Sequence, residues 1–186
     1  MAIFTGAGVA IVTPFKEKGE INFDKLGELS DFQVENGTDS IVIVGTTGEA
    51  STMTHEEHVE CIHYAVQKTA KRIPVVAGTG SNCTETAIYL TKEAQKAGAD
   101  GALVVSPYYN KATQKGLISH FGAIAKSVDI PLILYNIPGR TGCNILPATA
   151  ATMIKEYDNI IAMKDATGNL PQTLETLEAC QGDIDI

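Results

Sequence analysis

Six short apolar runs recur along the chain at fairly even intervals, and in most of them the apolar residues are consecutive instead of alternating. They are "GVAIVTP" around Val9, "SIVIVGTTGE" around Ile43, "PVVAGTG" around Val76, "GALVVSPYY" around Val104, "PLILYNIPGRTG" around Ile133 and "NIIAMKDATGN" around Ala162. A strand with one face in water alternates apolar and polar residues. A run such as "SIVIV" or "PLILY" is instead buried on both faces, as in a parallel sheet covered by helices. Pro14, Pro74, Pro107, Pro131 and Pro138 stand at the edges of these runs, where a missing backbone donor costs little.

The segments between the runs carry helical spacing. In 23–36, Leu26, Leu29 and Val34 share a face and Asn36-Gly37 supplies a stop. Similar segments span 54–71, 84–98, 114–128, 147–157 and 171–180. The pattern is therefore βα repeated six times, with no linker or low-complexity tract to mark a domain boundary. An α/β fold follows, either an open doubly wound sheet or a closed (βα)8 barrel. In both, function collects in the loops after the strands' carboxyl ends. Thr46, Thr47, Tyr109, Tyr135, Arg140 and Lys164 each end or follow an apolar run.

Composition narrows the partners. The 186 residues carry a net charge of -8 with lysines and arginines scattered, so no electrostatic footprint for nucleic acid or an anionic membrane is present. No apolar run is long enough to cross a bilayer, and the start lacks the charged, apolar and small-residue regions of a signal peptide. Cys61, Cys83, Cys143 and Cys180 stand alone, without CxxC pairs, and read as free thiols of a reducing cytoplasm.

The loops offer several chemistries. "GTTGEA" at 45–50 is either an anion cradle for a small carboxylate or a tight turn capping the next helix; it lacks a P-loop lysine and the GxGxxG spacing. "AGTGSN" at 77–82 reads as a plain turn. In "YNIPGRTG" at 135–142, Arg140 could grip a carboxylate through paired hydrogen bonds and Tyr135 could pass a proton, or both could be structural. Lys164 is either a solvated strand tip or an amine desolvated by Ile160, Ile161, Ala162 and Met163, whose neutral form would attack a carbonyl. His55, His58 and His63 could share a helix face, but no HExxH motif or third ligand accompanies them, so they read as solvated or capping residues. No GxSxG elbow supports a serine nucleophile.

Taken together and in order, "GTTGEA", "PYYN", "YNIPGRTG" and "KDATGN" resemble the dihydrodipicolinate synthase/N-acetylneuraminate lyase family from Phe4 onward. The resemblance implies a class I aldolase-type TIM (βα)8 barrel and, on the synthase side of the family, Schiff-base condensation of pyruvate with L-aspartate 4-semialdehyde. Sialic acid lyases read GSTGE at the first motif and lack the arginine of "PGRTG". By the family's pattern Lys164 would form the imine, Tyr135 would relay protons, and Thr46 would connect Tyr135 to Tyr109, which reaches into a neighbouring subunit. Thr46 and Thr47 would hold the pyruvate carboxylate and Arg140 that of the semialdehyde. The resemblance implies neither metal nor organic cofactor, a cytoplasmic place in lysine and diaminopimelate biosynthesis, and a homo-oligomer, dimer or tetramer. Feedback-inhibited relatives bind lysine with residues matching Ala50, Ser51, His55, His58, Asn82 and Tyr108 plus a glutamate, where this chain has Thr86. Weak lysine inhibition is expected.

A full barrel usually needs about 250 residues. The expected organisation of 1–186 is thus one incomplete barrel domain: units one to six, the start of a seventh strand at "GDIDI", 182–186, and no C-terminal helical region. A fragment of a longer enzyme, a short relative that closes its barrel by association, a binding module and another pyruvate-dependent aldolase all remain open readings.

Overall fold

The computed structural model describes residues 2–186. Six strands, β1 (Gly8–Ala10), β2 (Ser40–Ile43), β3 (Val75–Gly78), β4 (Gly101–Val105), β5 (Leu132–Asn136) and β6 (Ile160–Asp165), form one sheet in chain order. Every neighbouring pair is parallel. A doubly wound sheet reverses its strand order at a switch point, so this order decides for the barrel type. β1 and β6 are the two edges.

The helices are α1 (Phe23–Glu35), α2 (His55–Thr69), α3 (Thr84–Ala97), α4 (Gln114–Ala125), α5 (Pro138–Thr141), α6 (Pro147–Glu156) and α7 (Leu170–Ala179). Local chemistry sets their ends. Asn22, Thr113 and Asn169 accept from the first turns of α1, α4 and α7. Thr54 and Glu57 form a reciprocal capping box on α2, and Gly98 ends α3 at φ +86°. The expected helical segments are found to within three residues at their ends. The loop expected around Arg140 is a single helical turn, α5, because Thr141 and Arg140 N–H groups both return to the Ile137 carbonyl at 3.0 Å.

Outward-facing strand residues and the helices build two buried clusters. One includes Leu132, Leu134, Phe121, Met153 and Met163; the other includes Ile41, Ile43, Ile62 and Leu26. The inward face supplies Val42, Val76, Leu103, Ile133 and Ala162 to an interior cavity of about 470 Å³, which the segment Ala2 to Gly6 also lines. At 182–186 the chain makes one parallel bridge, Asp185 against Ala162, with Met163 N–H donating to the Asp185 carbonyl at 2.8 Å.

Candidate active site

Pleating decides which strand residues meet. On β5, Leu132 and Leu134 face the helices, so Ile133 and Tyr135 face the interior. On β6 the register sets Met163 opposite Leu134 and Lys164 opposite Tyr135. Lys164 and Tyr135 therefore project from the same face of neighbouring strands, and the lysine Nζ lies 4.4 Å from the centre of the tyrosine ring. Ile160 and Met163 belong to the helix-side cluster. They face away from the amine, contrary to the expectation that they desolvate it; the ring of Tyr135 and the interior wall around Ala162 take that part.

Partial burial and, after it, the positive charge of Arg140 hold the Lys164 amine below its ordinary range. The tyrosine face favours the charged form, so it works against these two causes. The side chain is nevertheless exposed to solvent on its open side. Arg140 stands on α5, directly after β5, exposed and without an ion pair among the described residues. One loop thus sets a cation beside a strand-end amine, which favours a neutral nucleophile and leaves the guanidinium for an anion.

Thr46 and Thr47 occupy an exposed turn after β2, three strands along the sheet from β5. The turn is tightly held. Gly48 and Glu49 N–H groups return to the carbonyls of Gly45 and Thr46, and Thr13 Oγ1 donates to the Gly48 carbonyl at 2.7 Å. The N–H groups of Thr46 and Thr47 donate to no backbone carbonyl among the described residues. Val44, buried and β-branched, is held at φ +47° immediately before it, a conformation such residues rarely adopt. A Cβ at Gly78 would stand 2.5 Å from the Val44 carbonyl oxygen, so the strained peptide also requires a glycine on β3. The result is a rigid, donor-rich turn suited to a carboxylate.

Tyr109 is 89% exposed, with φ +70°, and its N–H donates to the Thr141 carbonyl at 3.0 Å. The structure therefore brings Lys164, Tyr135 and Arg140 together, while Thr46 and Thr47 lie on a separate turn after β2 and Tyr109 is exposed. No hydrogen bond joins Thr46 to Tyr135 or Tyr109 among the described residues. His58 corrects an expectation: it is buried, not solvated, with Nε2 2.7 Å from the Gly78 carbonyl oxygen, because its position on α2 faces β3. All four cysteines are free thiols.

Sequence reasoning missed the polar residues behind the site. Asn136 and Asp165 each follow a site residue on its strand and so point to the opposite face. Asn136 is fully buried and binds the backbone of Ile145, while Asp165 accepts from Thr167 N–H and Thr173 Oγ1. A polar residue closing an otherwise apolar run, in "YN" and "KD", was the available signal.

Six consecutive parallel βα units with polar groups gathered at the strands' carboxyl ends define the class: a chain of the (βα)8-barrel type, its site on the face where such barrels carry chemistry. The pattern of the Dihydrodipicolinate synthetase family matches residues 3–186. A 4-hydroxy-tetrahydrodipicolinate synthase of Lachnoclostridium phytofermentans is 70% identical over 186 residues, all of this chain and 63% of the relative. One from Thermoanaerobacter sp. is 55% identical over 94% of this chain and 59% of its own length. Among solved structures, dihydrodipicolinate synthase from Aquifex aeolicus superposes with a TM-score of 0.93 at 50% identity, covering 95% of this chain and 60% of that one. The enzyme from Acinetobacter baumannii, solved complexed with pyruvate, gives 0.94 at 49% identity, covering 98% and 62%. The chain belongs to the dihydrodipicolinate synthetase family, and it spans about 60% of the length of these relatives.

Proposed function

We propose that this chain carries the imine-forming site of a 4-hydroxy-tetrahydrodipicolinate synthase, with pyruvate and L-aspartate 4-semialdehyde as substrates. The observation that carries the reading is the pairing of Lys164 and Tyr135 on adjacent strands, Nζ 4.4 Å from the ring centre, with Arg140 on the next turn. The neutral Lys164 amine attacks the keto carbon of pyruvate and water leaves, giving an imine. Loss of a methyl proton turns it into an enamine, whose carbon attacks the aldehyde of the semialdehyde. The amino group of that substrate then displaces Lys164 from the keto carbon, closing the ring and freeing the enzyme. Tyr135 carries protons at the imine and at the new alkoxide. The free N–H groups and hydroxyls of Thr46 and Thr47 hold the pyruvate carboxylate, and Arg140 holds the carboxylate of the second substrate.

Residues 1–186 serve in this reading as one domain, units one to six of a barrel, working in the cytoplasm and as a homo-oligomer in which Tyr109 of one copy reaches the site of another. The chemistry in this reading draws only on the chain's own groups. Incubation with pyruvate and borohydride, which reduces an imine to a stable amine, should add one pyruvate-derived adduct that peptide mapping places on Lys164. A folded protein that gains no adduct, or gains it elsewhere, overturns the assignment.

A further inference from the structure

The turn that bears Arg140 is closed at its neck by a cluster of amide side chains drawn from three distant elements. Asn136, at the end of β5, accepts from Ile145 N–H through Oδ1 at 3.0 Å and donates through Nδ2 to Asn144 Oδ1 at 2.9 Å. Asn144 and Gln172, on α7, exchange hydrogen bonds: Asn144 Nδ2 to Gln172 Oε1 at 2.8 Å and Gln172 Nε2 to Asn144 Oδ1 at 3.1 Å. Gln114, on α4, donates to the Asn144 carbonyl at 2.8 Å and accepts from Leu146 N–H and Thr149 Oγ1. Asn144 is the hub.

None of these amides faces the interior cavity, yet their placement bears on it. Arg140 has no ion-pair partner among the described residues, so its guanidinium is located only through its backbone. That backbone lies between Ile137 and Asn144, and both ends of the segment are tied: Ile137 accepts from Arg140 and Thr141, and Asn144 is bound on three sides. Gln172 belongs to the helix that follows the Lys164 strand. The Asn144–Gln172 exchange therefore ties the arginine turn of one unit to the lysine unit after it.

We propose that the reciprocal amide pair of Asn144 and Gln172 is a positioning device that fixes the separation of Arg140 from Lys164, and so sets how the carboxylate of the aldehyde substrate is held relative to the imine. This rests on the function proposed above. A bound carboxylate fixed on Arg140 defines where the aldehyde carbon falls, and small displacements there cost heavily in a bond-forming step. Pyruvate capture does not use the pair, because Tyr135 and Lys164 are registered by the β5–β6 ladder itself.

Gln172→Met keeps the length of the side chain and removes both hydrogen bonds. It should raise KM for the semialdehyde about tenfold and leave the final yield of pyruvate adduct on Lys164, trapped to completion at saturating pyruvate, unchanged, with Gln172→Glu, which retains the acceptor for Asn144 Nδ2, falling between. A second readout needs no turnover: the pH profile of Lys164 acylation, mapped by mass spectrometry with exposed Lys126 as internal control. Gln172→Met should move the Lys164 titration upward, in the same direction as Arg140→Ala, and the double variant should add nothing to Arg140→Ala. If the Lys164 titration does not move, if the two effects add, or if adduct yield falls while the semialdehyde KM rises, the positioning role is refuted. Absence of any adduct in the unaltered protein would count against the imine chemistry, while the acylation profile would still decide the role of the pair.

Discussion

Replacing His120 by Gln changes the acid stability of this chain by an amount that follows from where the imidazole sits. His120 lies on α4, 6% exposed, packed edge-on against Phe121. Its Nδ1 is 2.9 Å from Thr84 Oγ1 on α3, and its Nε2 is buried without a partner. Burial pushes the imidazole from its ordinary 6.5 down to about 4. The sign follows from linkage: the unfolded chain takes up a proton near pH 6.5 and the folded chain only near 4, so the stability His120 contributes is present above the first value and is lost as pH falls toward the second. At about 1.4 kcal/mol per pKa unit, the full effect is about 3 kcal/mol, of which about 2 kcal/mol disappears between pH 7 and pH 5. The assay is urea unfolding of both proteins at pH 7, 6 and 5. His120→Gln should be the weaker protein at pH 7 by about 1 kcal/mol, through its lost fit against Phe121 and Thr84. The gap should close or reverse by pH 5, a relative movement of the midpoint of about 1 M. His58, also buried and also held below its ordinary range by that burial, contributes to both curves and cancels in the difference. Parallel curves for the two proteins would refute the reasoning.

Tyr135→Phe keeps the ring over the Lys164 amine and removes only the hydroxyl. Borohydride trapping of pyruvate should persist while synthase turnover falls about 10²- to 10⁴-fold; equal loss of both would make Tyr135 a structural residue. Lysine binding should be weak, because Thr86 carries no charge to meet an ammonium group. Calorimetry giving tight lysine binding would overturn that expectation, whereas Thr86→Glu should strengthen binding.

What the sequence disclosed and what it concealed divide along a physical line. The consecutive apolar runs announced strands buried on both faces, and the helix limits were legible because Thr54 with Glu57 and Gly98 are local signals read within one turn. The surroundings of Lys164 were misread because chain neighbours were taken for spatial ones: Ile160 and Met163 adjoin the lysine in sequence but stand in the helix-side cluster. His58 was misread for a related reason, since a histidine on a helix is buried or solvated according to the strand beneath it, here Gly78. The amide cluster was beyond reach, because Gln114 and Gln172 meet Asn144 only through contacts 30 and 28 residues apart in the chain, between elements that must first be docked.

The same distinction bears on how the site holds together. The chemical half proposed for it, Lys164, Tyr135 and Arg140, is built by two consecutive units and registered by direct strand pairing, so its geometry depends on the β5–β6 ladder and one turn. The carboxylate cradle proposed for Thr46 and Thr47 comes from the second unit, and its distance from the lysine is set by the curvature accumulated over β3, β4 and β5. Curvature is a collective property of a sheet, whereas register is a local one. The local half is therefore the more robust, and loosening the curvature should weaken pyruvate affinity before it affects the nucleophilicity of the amine. The strain at Val44 and the close approach of Gly78 oppose that loosening, because they lock the cradle's turn against β3 and leave only the two intervening strand contacts free to flex. Imine formation at saturating pyruvate reports the local half, and the pyruvate concentration needed to reach it reports the curvature.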